Sequence, residues 1–266
     1  NVIIKNYLIL ELSADLRARQ QEKILDLCPN FAHKVKWLDH LPQTPINGVI
    51  FANEVMDAMP VARFQYANDC LQEYYVAIKN DAFCEIVAAP TTALADAFAA
   101  NRIADYISQP YTSEINLCLP AWVNSLNACL STGAILLCDY GFARAEYYHP
   151  QRDQGTFMCH YQHTCHDNAF INIGLQDLTA HVDFTTVAEA ASACGLTIGG
   201  YTNMASFLLN CGVTKFVTQP TVQQAQEVNT LTSPAEMGEL FKCIMLTRDV
   251  DLPLLGFARY DKSSRL

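Results

Sequence analysis

An α/β domain on a doubly wound, largely parallel sheet is predicted by three features of the sequence. Short unbroken apolar runs of buried-strand length alternate with helical periodicity between Tyr7 and Ala52. Each run ends in an acid or an amide, as expected where the carboxyl edge of a sheet carries chemistry. Hydrophobic residues make up 51% of the 266 and charged residues 17%, a globular balance in a chain long enough to bury a core without metal or disulfide staples.

Tyr7-Leu8-Ile9-Leu10-Glu11-Leu12 has the composition of a buried parallel strand ending in an acid. Ser13 is placed to cap a helix from Ala14 to Leu27, which stops before Pro29. His33–Leu38 is the next strand. A loop punctuated by Pro42 and Pro45 then leads to the apolar run Gly48–Ala52, with Asn53-Glu54 at its carboxyl end. The pattern changes at Arg63–Tyr66, Leu71–Ile78 and Phe83–Ala88. These segments are rich in strand formers and separated by Ala67-Asn68-Asp69 and Lys79-Asn80-Asp81, which predicts an inserted β-meander.

A helix is expected from about Ser113 to Leu130, stopped by Thr132-Gly133, followed by a core strand Ala134–Cys138 that delivers Asp139-Tyr140-Gly141. Residues 145–183 hold five of the seven histidines but little periodicity, the signature of a long loop or lid. Phe184–Cys194 is a helix capped in the Asp183–Thr186 region, Leu196–Tyr201 a strand and Met204–Asn210 a helix ending near Gly212. Ser233 caps a further helix with Pro234 at its first position, and Phe241–Leu246 and Leu254–Phe257 are closing strands. The expected organisation is a sheet domain from 1–62, 113–144 and 184–266, with the meander inserted at 63–112 and a second insertion at 145–183.

A formal net charge of −10 argues against a nucleic-acid backbone as partner and suits a cationic or basic one. Eleven cysteines occur without a single C-x-x-C pair, the usage of reduced core thiols in a cytoplasm. No apolar run approaches the length of a membrane span, and no signal peptide is visible. Because residue 1 is Asn rather than Met, the natural N-terminus is expected to lie upstream.

Ligands of open α/β sheets bind outside the carboxyl ends of strands, which singles out Glu11, Asp39, Asn53-Glu54 and Asp139-Tyr140. Glu11 could accept hydrogen bonds from the ribose hydroxyls of a nucleoside cofactor or could merely favour the dipole of the helix that follows. The residues alone allow both. In Asn53-Glu54-x-x-Asp57-Ala58-Met59-Pro60, Glu54 and Asp57 are three apart and would share a face of a first helical turn. Two carboxylates there could grip a guanidinium through paired charge-assisted hydrogen bonds, a reading favoured over plain helix-start acids. His160, His163 and His166 recur at steps of three, but Cys159 and Cys165 do not complete a zinc spacing and no H-E-x-x-H occurs. No metal is assigned. Histidines contacting substrate or backbone carbonyls are the preferred reading, and His181 is read as structural.

Leu10-Glu11-Leu12-Ser13-x-x-Leu16-Arg17-x-x-Gln20 and Ala52-Asn53-Glu54-x-x-Asp57-Ala58-Met59-Pro60-Val61 resemble the second-strand and fourth-strand motifs of the MidA family of protein arginine methyltransferases. Gly155-Thr156-Phe157, His163-x-x-His166-Asp167 and Asp177-Leu178-Thr179-x-x-Val182-Asp183-Phe184 are similar to its insertion, and Pro234-x-x-Met237-Gly238-x-x-Phe241-Lys242 to its tail. The resemblance runs through nearly the whole chain. It implies a Rossmann-like class I methyltransferase sheet, S-adenosyl-L-methionine as donor and an arginine on a partner protein as acceptor, in the manner of the family member that assists respiratory complex I assembly.

Carried over by residue, Glu11, Ser13, Asp39 and Asn53 would hold the cofactor, and Glu54, Asn53 and Asp57 would be catalytic. Tyr140, His163, His166 and Asp177 would belong to the substrate side and the lid, with the insertion covering the site. The family's first strand and glycine-rich loop are missing ahead of Tyr7, so the chain is expected to be N-terminally truncated. A bacterial cytoplasm is the expected location, and a second copy of the chain is an admissible partner. A small-molecule methyltransferase and a non-catalytic scaffold on a degenerate sheet are the rival functions, with an NAD-dependent dehydrogenase a weaker third.

Overall fold

The protein, seen as a computed structural model, is described here for residues 4–162, 164–217 and 220–266. It opens with strand β1 (Tyr7–Leu10), helix α1 (Ala14–Leu27), β2 (Val35–Leu38) and β3 (Ile46–Asn53). The Ser13 side chain accepts from Leu16 N and so satisfies one of the free donors at the start of α1. β1 and β2 pair in parallel as a sheet of their own. Among the described residues, β1 and β3 do not pair with each other. The face of β3 that carries Val49 and Phe51 is exposed, and α1 buries none of its residues.

Next come β4 (Ala62–Ala67), β5 (Cys70–Lys79), β6 (Ala82–Ala88), α2 (Thr92–Ala100) and β7 (Tyr111–Ile115). These four strands form an antiparallel sheet in the order β6-β5-β4-β7, with α2 packed through Leu94 and Phe98 onto Phe64, Tyr111 and Ile115. The two turns fall at Asn68-Asp69 and Asn80-Asp81, all four residues at positive φ, which Asn and Asp tolerate best after glycine.

α3 (Leu119–Ala128) and β8 (Leu130–Phe142) return the chain to the main sheet. There follow α4 (Arg144–Tyr147), β9 (Met158–Tyr161), β10 (Thr164–His166), β11 (Asp177–Thr179), β12 (Val182–Asp183), α5 (Phe184–Ala193) and β13 (Thr197–Asn203). The chain ends with α6 (Met204–Asn210), α7 (Val213–Phe216), α8 (Val222–Thr232), α9 (Met237–Leu240) and β14 (Phe241–Arg248). β3 and β12 pair in parallel with β8, whose other edge takes β14 antiparallel, and β13 closes the sheet beyond β14. The alternation of β8 fixes its two faces. Ile135 and Leu137 pack with Val123 and Leu126 of α3 and Val187 and Ala191 of α5, whereas Cys138 packs with Met204, Phe241 and Cys243 beneath α6.

The structure corrects the sequence reading in five places. Residues from Ser113 begin no helix: Tyr111–Ile115 is strand β7, paired with β4, and the helix starts only at Leu119, where Asn116 Oδ1 accepts from the backbone N–H groups of Cys118 and Leu119. Residues 145–183 are not a bare lid, because β9, β10 and β11 form a three-stranded antiparallel sheet. His160 and His166 therefore lie on the paired strands β9 and β10. Ser233 ends α8 instead of starting a helix, and α8 itself, with its Thr221–Gln224 capping box, lies in a polar segment whose pattern is weak. Leu254–Phe257 contains a single 3₁₀ turn rather than a strand.

Candidate functional site

The carboxyl ends of β3 and β8 lie side by side, since Asn53 is in register with Cys138. Asn53 Nδ2 donates to Glu54 Oε1 at 2.9 Å, and Glu54 N donates to the Cys138 carbonyl at 3.0 Å. Glu54 sits at φ +49°, a left-handed conformation uncommon outside glycine, Asn and Asp. The chain is thereby turned sharply off the strand. Glu54 is exposed while Met56 and Asp57 are buried.

Asp139, which follows Cys138 in β8, organises that turn. Its Oδ2 accepts from Met56 N at 3.0 Å and Asp57 N at 3.3 Å, and its Oδ1 accepts from Tyr140 N at 2.9 Å. Burial, and then the charge of Asp57, push the Asp139 carboxyl up to about 7, against the pull of its backbone N–H donors. Tyr140 Oη donates to Asp57 Oδ2, and the phenol is pushed upward chiefly by burial. The other oxygen, Asp57 Oδ1, is buried without a hydrogen-bond partner in a residue only 5% exposed. A second chain segment closes on the same place: Ala180 N donates to the Asp57 carbonyl at 3.0 Å, and the His181 ring stands edge-on to Tyr140 at 5.1 Å. His181 Nδ1 is also buried and unpartnered, and burial followed by the charges of Arg152 and Lys242 lowers its imidazole to about 4, so it is neutral at neutral pH.

Glu11 is held at the end of β1, where Oε1 accepts from Ser13 N at 2.9 Å and Oε2 from Gln20 Nε2 at 3.0 Å. Trp37 Nε1 donates to Gln20 Oε1 at 3.0 Å, which ties this carboxylate to β2. Asp39 pairs with Arg17 at 2.6 Å, and that bond holds its carboxyl below the ordinary range. Of the residues expected in the site, Asn53 with Glu54, and Asp57 with Tyr140, are thus brought into direct contact. Glu11, Ser13 and Asp39 form a separate group on the β1–β2 sheet. His166 and Asp177 lie on β10 and β11, opposite Cys159 and His160 of β9, and neither bonds to Asp57. His163 lies outside the described residues.

Asp139, singled out at a strand end but given no role, and His181, read as structural, complete the cluster. Asp139 had a signal, an acid ending an apolar strand, whereas His181 owes its place to a contact across 41 residues that no local pattern encodes. Among the described residues no three His, Cys, Asp or Glu side chains converge as a metal centre, and no helix is long and apolar enough to cross a membrane. A concavity of about 450 Å³ lined by Thr197, Gly199, Leu252 and Pro253 lies at the opposite ends of β13 and β14, away from these acids.

Acids at the carboxyl ends of the parallel strands of an open sheet are where α/β enzymes place nucleoside-type cofactors. The model of a family described as "putative S-adenosyl-L-methionine-dependent methyltransferase" matches residues 4–202. The chain belongs to that methyltransferase family, and the family's donor is S-adenosyl-L-methionine. A Burkholderia thailandensis protein crystallised with S-adenosyl-homocysteine is similar to it at 40% identity and a TM-score of 0.92, over 98% of this chain and 69% of that one. A native structure of a protein of the same superfamily, also from Burkholderia thailandensis, gives 40% identity and a TM-score of 0.91, over 98% and 71%. No curated protein matches the chain.

Proposed function

We propose that this chain transfers a methyl group from S-adenosyl-L-methionine to an arginine side chain of a partner protein, as the MidA resemblance implies. The observation that carries the reading is the unpartnered Oδ1 of Asp57, beside the Asn53–Glu54 pair. A buried carboxylate oxygen without a donor is costly unless a ligand supplies one, and a guanidinium supplies several in a planar fork. The fit to the donor is supported by Glu11, a carboxylate held in a fixed direction at the end of a parallel strand.

The donor, when bound, supplies an electrophilic methyl on a sulfonium. Glu11 and Ser13 would hold its ribose, and Asn53 would stand beside its methionine portion. Asp39, already paired with Arg17, would border the site. Asp57 would take the guanidinium through Oδ1 while Tyr140 keeps Oδ2 in place. Glu54 would draw positive charge away from the attacking nitrogen, and its exposure gives the released proton a path to water. Most of the acceleration would come from orientation. The insertion bearing His163, His166 and Asp177 would cover the site, and the acceptor would be a respiratory-complex type of subunit in a bacterial cytoplasm.

The test is transfer of radiolabelled methyl groups to arginine-bearing and lysine-bearing peptides, with calorimetric titration of S-adenosyl-homocysteine alongside. Label on arginine, lost in Glu54→Gln while cofactor binding persists, is the expected result. Label on lysine or on small metabolites alone would refute the arginine reading, and absence of cofactor binding would refute the donor site.

A further inference from the structure

Cys165 of β10 and His160 of β9 are direct partners in the sheet of the second insertion, and Cys165 Sγ lies 3.3 Å from His160 Nδ1. Asp177 of β11 is the partner of His160 on its other side. Directly paired residues of an antiparallel sheet project from the same face, so thiol, imidazole and carboxylate stand in one row with the imidazole in the middle. Cys165 and Asp177 are exposed and His160 is half-buried. In that order an imidazolium formed at His160 has a carboxylate one strand spacing away, about 5 Å, whereas a thiolate at Cys165 stands about 10 Å from it. Asp167, two residues beyond Cys165, is the acid nearest to it in sequence. Among the described residues no three His, Cys, Asp or Glu side chains gather as a metal centre, so the row offers a nucleophile and its base rather than a cation site.

We propose that Cys165, with His160 as its base, is a nucleophilic thiol that exchanges with low-molecular-weight disulfides and carries the resulting mixed disulfide. Cys165 passes its proton to His160 Nδ1, and the thiolate attacks one sulfur of the incoming disulfide. The bond between the two incoming sulfurs breaks as the new bond to Sγ forms, and the departing thiolate takes the proton back from His160. One incoming sulfur is reduced to a thiol while Cys165 is oxidised into the new disulfide, so no further oxidant is needed. The product stays a mixed disulfide because the other cysteine of this sheet, Cys159, is fully buried on the opposite face of β9 and cannot resolve it. Among the described residues neither Cys165 nor His160 bonds to Asp57 or Tyr140, and the exchange owes nothing to the methyl-transfer reading.

Incubation of the whole protein with glutathione disulfide at about pH 6, where an ordinary exposed thiol is almost wholly protonated, tests this through mass mapping of the modified peptides. Three other exposed cysteines, Cys28, Cys70 and Cys118, serve as comparators in the same tube. Cys118 is the stringent one, since it sits at the start of α3, where a helix terminus also favours a thiolate. Cys165 is expected to be modified about tenfold faster than each of them, and His160→Gln to bring it down to their rate with the circular dichroism unchanged. The lead of Cys165 should narrow toward about pH 9, where exposed thiols in general ionise. A Cys165 no faster than the comparators, a lead that survives His160→Gln, or an intrachain disulfide to Cys159 in place of the adduct would each overturn the assignment.

Discussion

Asp139 should impose a pH dependence on the fold that its amide variant lacks. The carboxyl is buried within reach of Asp57, and its pKa rises from 3.8 to about 7. About three units at 1.36 kcal/mol each gives an ionisation cost of about 4 kcal/mol in the folded state. The sign follows from proton binding. Below pH 3.8 the group is protonated whether the chain is folded or not, and it costs nothing. Between there and about pH 7 the unfolded chain releases the proton while the folded one keeps it, so stability falls with rising pH, and above about pH 7 the loss is complete. Asp139→Asn removes this slope. The amide keeps its oxygen for Met56 N and Asp57 N but turns an N–H₂ toward Tyr140 N, a pH-independent loss of about 1–3 kcal/mol. Urea unfolding followed by circular dichroism at pH values across this window should therefore show the variant less stable than the parent at the acid end. Toward neutrality the difference should close and reverse, to about 1–3 kcal/mol in the variant's favour, the roughly 4 kcal/mol ionisation cost less the amide's loss. Two curves that stay parallel would refute the account of a buried Asp139 carboxyl pushed upward.

Asp57→Asn should raise the acceptor KM about tenfold or more, since charge-assisted bonds are worth about 1.5–3 kcal/mol, while leaving S-adenosyl-homocysteine titrations unchanged. Glu11→Gln should do the reverse, weakening S-adenosyl-homocysteine by roughly tenfold in the same calorimeter, if its carboxylate accepts from the ribose. Arg144, buried against Asp183 at 3.1 Å and bound to Glu189 at 2.6 Å, holds the start of α5. Arg144→Ala should cost about 3–5 kcal/mol of unfolding free energy by denaturant titration, because Asp183 is left buried without its cation. Burial already outweighs Arg144 in setting the Asp183 carboxyl, which is pushed upward, so the same titration on Arg144→Ala/Asp183→Asn should recover much of the loss.

Elements with a cap and an unbroken period were legible. Helix α1 begins and ends where Ser13 and Pro29 place it, and α6 spans Met204–Asn210 as its pattern requires. The turn at Asn53-Glu54 was legible because it follows the apolar run Gly48–Ala52, whereas Asp139-Tyr140, expected beyond a strand ending at Cys138, lies within β8. The failures share a cause. β7 is strand because β4 lies beside it, an edge pairing that overrides the helix-like run from Ser113. The β9–β11 sheet is made of strands three or four residues long, too short to register as alternation. Gly155 shows the same limit: it stands at φ +75° and its hydrogen abuts the Glu114 carboxylate, so the need for glycine comes from a residue 41 positions away.

Glu114 explains how the second insertion is held in place. Its carboxylate, fully buried and pushed upward by that burial, accepts from Tyr147 Oη at 2.9 Å, from Thr156 N at 2.8 Å and from the Thr156 hydroxyl. Thr156 Oγ1 in turn accepts from His181 N at 2.9 Å, one residue beyond the Ala180 amide that bonds the Asp57 carbonyl. The meander strand β7 is therefore connected to the backbone of Asp57 through Thr156, His181 and Ala180. From the other side, Asn116 Nδ2 reaches the Met56 carbonyl at 3.4 Å, and Asp139 holds the Met56 and Asp57 amides. A turn fixed from three directions has little freedom to rotate Asp57 Oδ1 toward a protein donor. Its empty valence is a property of the assembled fold, held by contacts from β7, β8 and the second insertion together.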